Sequence, residues 1–120
     1  MSYNRSIPTV AGTSLLAFQH RVINEAGTLA TGAPQARGIL DAKVDSGEDA
    51  TLVYDGRHKY QAGGAIGAHK PLTVASGGFI VAATSGQQVI GMNEYSAVTS
   101  GSFGNGVFNF LNRTTVTSEG

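Results

Sequence analysis

The stretch GGAIGAHKPLTVASGGFIVAATSGQQVIGM, residues 63–92, contains a single residue that is charged at neutral pH in any surroundings, Lys70, with His69 beside it. Most of the stretch is glycine, alanine, hydroxyl-bearing residues and aliphatics. Short runs of β-branched and aromatic residues between glycines are typical of strands separated by tight turns. The pattern predicts strands at residues 72–74, 79–82 and 88–92, and it leaves almost no side chain for chemistry.

The same glycine punctuation continues through the rest of the chain. Seventeen glycines are distributed without the strict period of collagen, and two further strand candidates are ATLVY, residues 50–54, and VFNFL, residues 107–111. In the latter, alternation places Phe108 and Phe110 on one face and their neighbours Val107, Asn109 and Leu111 on the other. We therefore predict an all-β fold, a small single-domain β-sandwich or β-tulip-like barrel with short hairpins.

The segment SLLAFQHRVINEAG, residues 14–27, allows two interpretations. Leu15, Phe18 and Val22 recur at helical spacing, whereas a strand would place Leu16, Phe18 and His20 on one face. The strand interpretation is favoured because the neighbouring segments all have β character.

Length and composition exclude several classes of protein. The 120 residues suit one domain, and eight basic residues balance eight acidic ones without a basic run that would bind nucleic acid. No apolar run reaches the roughly 18 residues of a membrane span, no signal-peptide pattern is present at the N-terminus, and cysteine is absent. Charged residues make up 13% of the chain, against about 25% in an average domain, which suits a molecule that works inside an assembly.

The polar residues form no recognisable catalytic or metal-binding motif. His20, His58 and His69 are not spaced to converge on one ion, and no Gly-x-Ser-x-Gly elbow or phosphate-binding loop occurs. Asp55-Gly56 predicts the tip of a hairpin, and the glycines of GSFGNG, residues 101–106, are expected between strands. We predict no catalytic residue, no metal site, no cofactor and no enzymatic activity.

Four carboxylates in LDAKVDSGEDA, residues 40–50, invite comparison with a calcium loop; they are Asp41, Asp45, Glu48 and Asp49. Such a loop needs oxygen ligands at alternate positions and a glutamate at the twelfth. Lys43 and Leu52 occupy the third and twelfth positions. The segment is therefore interpreted as a solvated loop.

Taken together, several of these segments resemble the head decoration proteins, or capsid cement proteins, of tailed bacteriophages. The segments that carry the resemblance, within residues 16–112, are FQHRVINEAGTLATG, ARGILDAKVDSGED, YQAGGAIGAHKPLTV, GGFIVAA and QVIGMNEYSAVTSGSFGNGVFNF. The resemblance implies a compact β fold without catalysis that binds the major capsid protein on the outer surface of the expanded head, often as a homotrimer. It also implies a virion protein that is made and assembled in the host bacterial cytoplasm, without nucleic-acid or membrane partners.

We expect a decoration domain, residues 14–113, preceded by an extended N-terminal arm, residues 1–13, and followed by a C-terminal tail, residues 114–120; the arm and the tail lie outside the resemblance. The arm residues predicted to bind the capsid, for example by strand addition, are Tyr3, Arg5, Ile7, Pro8 and Val10; the alternative is a frayed terminus. Aromatic residues and arginine are enriched in interface cores, so the residues predicted for self-association are Arg57, His58, Tyr60, Phe103, Phe108 and Phe110. For Phe108 and Phe110 the alternative is the core of the domain itself.

Two other structural roles stay open at the level of sequence. The chain is also compatible with a virion fibre protein that binds a glycan or receptor, although the absence of tryptophan counts against that role. A tail-tube subunit is the remaining alternative, and it would be expected to polymerise without a preformed shell.

Overall fold

The computed structural model describes residues 4–33, 36–94, 96–110 and 114–115. Its strands are β1 (Asn4–Val10), β2 (Val22–Asn24), β3 (Ala36–Leu40), β4 (Asp49–Gln61), β5 (Pro71–Val74), β6 (Ile80–Ala82), β7 (Gln88–Val89), β8 (Gly91–Asn93), β9 (Phe103–Asn109) and β10 (Thr114–Thr115). A 3₁₀ turn, Ser76–Gly78, precedes β6. The all-β prediction is confirmed.

Eight of these strands form one sheet in the order β2-β3-β4-β9-β8-β5-β6, with β1 paired to β4, while β7 and β10 form a separate pair. These strand pairs are antiparallel. A bridge between Ala62 and Ile80 brings β6 back to the end of β4, so the sheet is nearly closed into a barrel. The radius of gyration of 13.1 Å is close to the about 14 Å expected for one compact domain of this length.

The long strand β4 corrects the predicted hairpin tip at Asp55-Gly56. The chain does not turn back there but continues to Gln61, with Gly56 at φ +105° and a register shift opposite Arg5 and Ser6. A positive φ suits a tight turn, but it also suits a bulge that bends a long strand. The bend lets β4 pair with β1 and β3 through its first half and with β9 through its second half.

Strand β9 corrects the placement of the GSFGNG glycines between strands, because Gly104 and Gly106 lie inside it. A Cβ atom added at Gly104 would lie only 2.9 Å from the Tyr60 hydroxyl, so glycine is needed where the ring crosses the strand. Burial alternates along β9, and Phe108 and Phe110 are buried on one face while Val107 is exposed on the other, as predicted. Leu111 lies outside the described residues.

The ambiguous segment is a strand only at β2, residues 22–24, and no helix forms in it. Residues 15–21, here called the strap, form turns held by backbone hydrogen bonds. Leu15 donates to Val44, His20 donates to Leu40 at the end of β3, and His20 accepts from Gln61 at the end of β4. The strap therefore connects the ends of two strands that do not pair with each other at that point.

The interior is divided into two groups of buried side chains. The large cluster consists of Val22, Ala30, Ala33, Ala36, Ile39, Tyr60, Ala62, Ile66, Leu72, Val74, Ile80, Ile90, Val98, Phe108 and Phe110. The small cluster consists of Ala11, Leu15, Ile23, Leu40, Ala50 and Leu52, with Ile7, Phe18, Leu29 and Val44 packed partly against it. The large cluster also holds a polar contact, in which the Tyr60 hydroxyl donates to Asn93 Oδ1 at 2.8 Å.

The predicted N-terminal arm is extended, but residues 4–10 belong to the sheet. Strand β1 pairs with β4 along its whole length, from Asn4 opposite Gly56 to Val10 opposite Asp49, with Pro8 opposite Thr51. This pairing satisfies backbone groups that a free arm would leave to solvent. Among the described residues, no helix is long and apolar enough to cross a membrane.

Candidate interaction surfaces and a histidine pair

The exposed side of the β4, β9 and β8 strands, here called the outer face, carries the clearest apolar surface. Residues paired across antiparallel strands point to the same side, so Arg57, Val107 and Met92 stand in one row. Phe103 stands further along the same side of β9. Phe103 is 51% exposed, Val107 47% and Met92 45%. Three large apolar side chains in solvent on one sheet face suit contact with another protein.

Charged groups border the three exposed apolar side chains. Arg57 Nη2 lies 2.9 Å from Glu94 Oε2, and the Glu94 side chain is largely buried beneath the contact. Lys59 Nζ lies 5.8 Å from the centre of the Phe103 ring. The outer face is therefore an apolar centre with a charged rim, the general anatomy of protein interfaces.

Five of the six residues predicted for self-association separate into two groups, and the sixth, His58, is largely buried beside His20. Arg57 and Phe103 are exposed on the outer face. Tyr60, Phe108 and Phe110 point inward, and their rings pack against one another, Tyr60 to Phe108 at 5.8 Å and Phe108 to Phe110 at 6.0 Å between centroids. Their prediction as interface residues is corrected, because the alternation of β4 and β9 directs them into the large cluster.

Four of the five predicted capsid-binding residues lie along β1. Arg5, Pro8 and Val10 are exposed, and Val10 is the most exposed large apolar residue among those described, at 58%. Ile7 is half-buried because it packs against the small cluster. Tyr3 lies outside the described residues.

The carboxylate loop between β3 and β4 is held by its own hydrogen bonds. Glu48 Oε1 accepts from the Asp45 backbone at 2.7 Å, and Asp45 Oδ1 accepts from Ser46. Asp41, Asp45, Glu48 and Asp49 are exposed, which fits the solvated-loop interpretation. In the described part of the chain, no three His, Asp or Glu side chains converge in a way that would hold a metal ion.

Sequence spacing gave no reason to connect His20 with His58, yet the fold brings them together. Their ring centroids are 5.6 Å apart in an edge-to-face arrangement, and the His20 ring also meets Phe103 edge to face at 5.7 Å. His58 Nε2 lies 3.6 Å from Asp41 Oδ1, too far for a hydrogen bond. No short-range motif could reveal this pair, because the contact depends on the strap reaching the end of β4.

The surroundings of the pair disfavour its charged form. Burial lowers the pKa of His20, and the nearby His58 and Lys59 lower it further, with only Asp41 acting in the opposite sense. Burial also lowers the pKa of His58, with Asp41 opposing this shift and Lys59 adding to it. Both imidazoles are therefore held neutral at neutral pH.

Comparison with known proteins gives a likeness in fold to a solved structure. No family model matches the chain, and no curated protein matches it. Among solved structures, the N base of the head fiber gp8.5 of bacteriophage phi29 is similar, with a TM-score of 0.67 over 99% of this chain and 100% of that chain. The two are 16% identical, so the likeness shows a shared fold.

Proposed function

We propose that this protein is a non-enzymatic structural protein of a phage head that binds the outer capsid surface and stabilises the expanded shell as a decoration protein. The observation that carries the proposal is the fold shared, end to end, with the base of a phage head fiber. The low content of charged residues and the resemblance of residues 16–112 to cement proteins support it. A decoration protein needs no catalysis, because it acts by burying surface across seams between capsid subunits.

The capsid contact is assigned to β1. Val10 is well exposed beside the edge of the sheet, and Arg5 reaches the surface, where its Nε lies 3.7 Å from Asp55 Oδ2. One edge of β1 is already paired with β4, and Pro8 has no N–H to offer an added strand. Contact through the exposed side chains of β1 therefore fits better than the strand addition expected for a free arm.

Neighbouring copies on the capsid are proposed to meet through the outer face, as a homotrimer. Phe103 and Arg57 are exposed there, and residues of these types are enriched in interface cores. Each contact can be weak, because binding of one copy to the shell raises the local concentration of the next.

The proposal is tested by sedimenting the purified protein with undecorated, expanded heads of a phage that it decorates, and then heating the heads. Saturable co-sedimentation with a raised head-disruption temperature is expected. Val10→Lys should reduce occupancy, while Leu16→Lys, at a residue of similar exposure on the strap, should not. Absence of binding contradicts the decoration role, and equal occupancy of the two variants contradicts the assignment of β1.

The similarity to the base of a head fiber also favours a second role, in which this domain anchors a fibre that carries receptor or glycan binding. A fibre base that bridges no seams between capsid subunits would bind heads without changing their disruption temperature. A tail-tube subunit, in contrast, would form tubes in the absence of heads.

A further inference from the structure

The backbone around His20 joins parts of the barrel that are otherwise unpaired. His20 donates to Leu40 at 2.9 Å and accepts from Gln61 at 3.2 Å, and the next residue, Arg21, accepts from Leu40. His20 itself has φ +70°, a conformation that costs energy for a residue with a side chain. The position of the strap therefore depends on whatever holds the His20 ring in place.

The His20 and His58 rings are held by packing, and one nitrogen of each ring has no polar partner. His20 Nδ1 and His58 Nε2 are buried and make no hydrogen bond. A neutral imidazole tolerates this arrangement, because its bare nitrogen is only an acceptor. A protonated imidazole carries a proton on both nitrogens, and a buried N–H without an acceptor is strongly unfavourable.

The charged groups around the pair make the two histidines unequal. Lys59 acts on both rings from β4, while Asp41 acts on both from the end of β3. Lys43 and Arg21 line the same surface depression of about 330 Å³ as His20. Asp41 is within a short movement of His58 Nε2, whereas His20 Nδ1 has no hydrogen-bond partner, so protonation of His20 is the less compensated event.

We propose that His20 and His58 form an acid-sensitive latch that holds the strap against the ends of β3 and β4. While both rings are neutral, they pack edge to face and the strap covers the small cluster through Leu15 and Phe18. Protonation places like charges side by side and beside Lys59, so the strap detaches. Because the His20 ring supports Phe103, detachment also alters the outer face. This inference goes beyond the decoration role and does not depend on it.

The sign of the pH dependence follows from the lowered pKa of each histidine. The unfolded chain takes up protons near pH 6.5, whereas the folded chain takes them up only at lower pH. The stabilisation is complete above pH 6.5 and declines as the pH falls from there toward the folded-state pKa values. Carboxylates titrate mostly near pH 4, so the interval from about pH 7.5 to pH 5.5 isolates the histidines.

The test is thermal unfolding across that interval for the wild type, His20→Asn and His69→Asn. His69 is a matched control, since it also has positive φ, which asparagine tolerates, and it does not act on the pair. The wild-type and His69→Asn midpoints should fall by several degrees on acidification, and the fall should be at least halved in His20→Asn. Equal falls in all three, or none in the wild type, overturn the latch.

A second measurement uses the unmodified protein, in case His20→Asn does not fold. Hydrogen exchange of the Gln61 amide, which donates to His20, should accelerate on acidification relative to its intrinsic rate. Asp41 is the group that favours the protonated rings, so Asp41→Asn leaves those charges less compensated in the closed state. The Asp41→Asn variant should therefore reach the same acceleration at a higher pH. A Gln61 protection factor that does not change across the interval overturns the proposal.

Discussion

The two core clusters differ in what fixes their geometry. In the large cluster, Tyr60 and Phe108 pack as rings, glycine on β9 makes room for them, and Asn93 ties Tyr60 to the loops. The small cluster is mainly aliphatic and is bounded by β1 and the strap, whose side chains are largely half-buried or exposed. The comparison indicates a rigid half that defines the barrel and a more adjustable half that carries the proposed capsid contact.

The largest expected effect on stability comes from truncating a buried side chain in each of the two clusters and comparing the losses. Phe108→Ala should lower the free energy of unfolding by about 4 kcal/mol, because a buried ring between two others leaves a cavity that rigid neighbours cannot close. Leu52→Ala in the small cluster should cost about 2 to 3 kcal/mol, since β1 can settle inward. Urea unfolding measures both, and a larger loss at Leu52 would contradict the division.

The polar contact inside the large cluster gives an intermediate effect. Asn93 Nδ2 donates to the carbonyls of Gly67 and Ser96, and its Oδ1 accepts from Tyr60. Asn93→Ala leaves all three groups unpaired and should cost about 2 to 3 kcal/mol, whereas Tyr60→Phe removes one bond and should cost about 1 kcal/mol. Equal losses in urea unfolding would mean that the loop contacts contribute nothing.

Burial of Tyr60 also predicts an alkaline transition that the small cluster lacks. Burial raises the pKa of Tyr60 to about 12, from an ordinary value near 10. A raised pKa means that the neutral Tyr60 phenol stabilises the fold fully below about pH 10, and that this contribution is lost as the pH rises toward 12. Ultraviolet titration should show a phenol that ionises late, and Tyr60→Phe should abolish that late component. Early ionisation of every tyrosine in the folded protein would contradict the burial.

The smallest effect is expected on β1. Arg5→Ala removes an exposed ion pair with Asp55 and should change the free energy of unfolding by less than about 0.5 kcal/mol. Ile7→Ala, on the same strand but packed against the small cluster, should cost about 1 kcal/mol. If Arg5→Ala proved the more damaging variant, β1 would be held by charge rather than by pairing and packing.

Sequence patterns predicted the elements whose geometry is local. Alternation in VFNFLN correctly placed Phe108 and Phe110 together, and glycine-bounded runs located β5 and β6. The single strand predicted at residues 88–92 is instead divided into β7 and β8, which belong to different sheets. These features depend only on the period of two along a strand and on turn residues beside it. The all-β class follows from the same information.

The features that were missed depend on distant parts of the chain. Gly56 has the same preference for positive φ in a turn and in a bulge, and only the partners of β4 decide between them. His20 and His58 meet because the strap reaches the end of β4, which no spacing in the sequence encodes. Residues 4–10 were assigned to an extended arm outside the domain, and their pairing with β4 depends on a segment that follows much later in the chain.

Pro8 limits edge-to-edge stacking of β1 when the protein is concentrated. A strand at the margin of a sheet offers its backbone as a template on which further copies can stack into fibrils. Proline is tolerated at such margins and supplies no donor, so it interrupts the template in the middle of β1. Replacing Pro8 with threonine should therefore make concentrated solutions prone to self-templated fibre growth, a hazard for any protein that must accumulate in many copies before it is used.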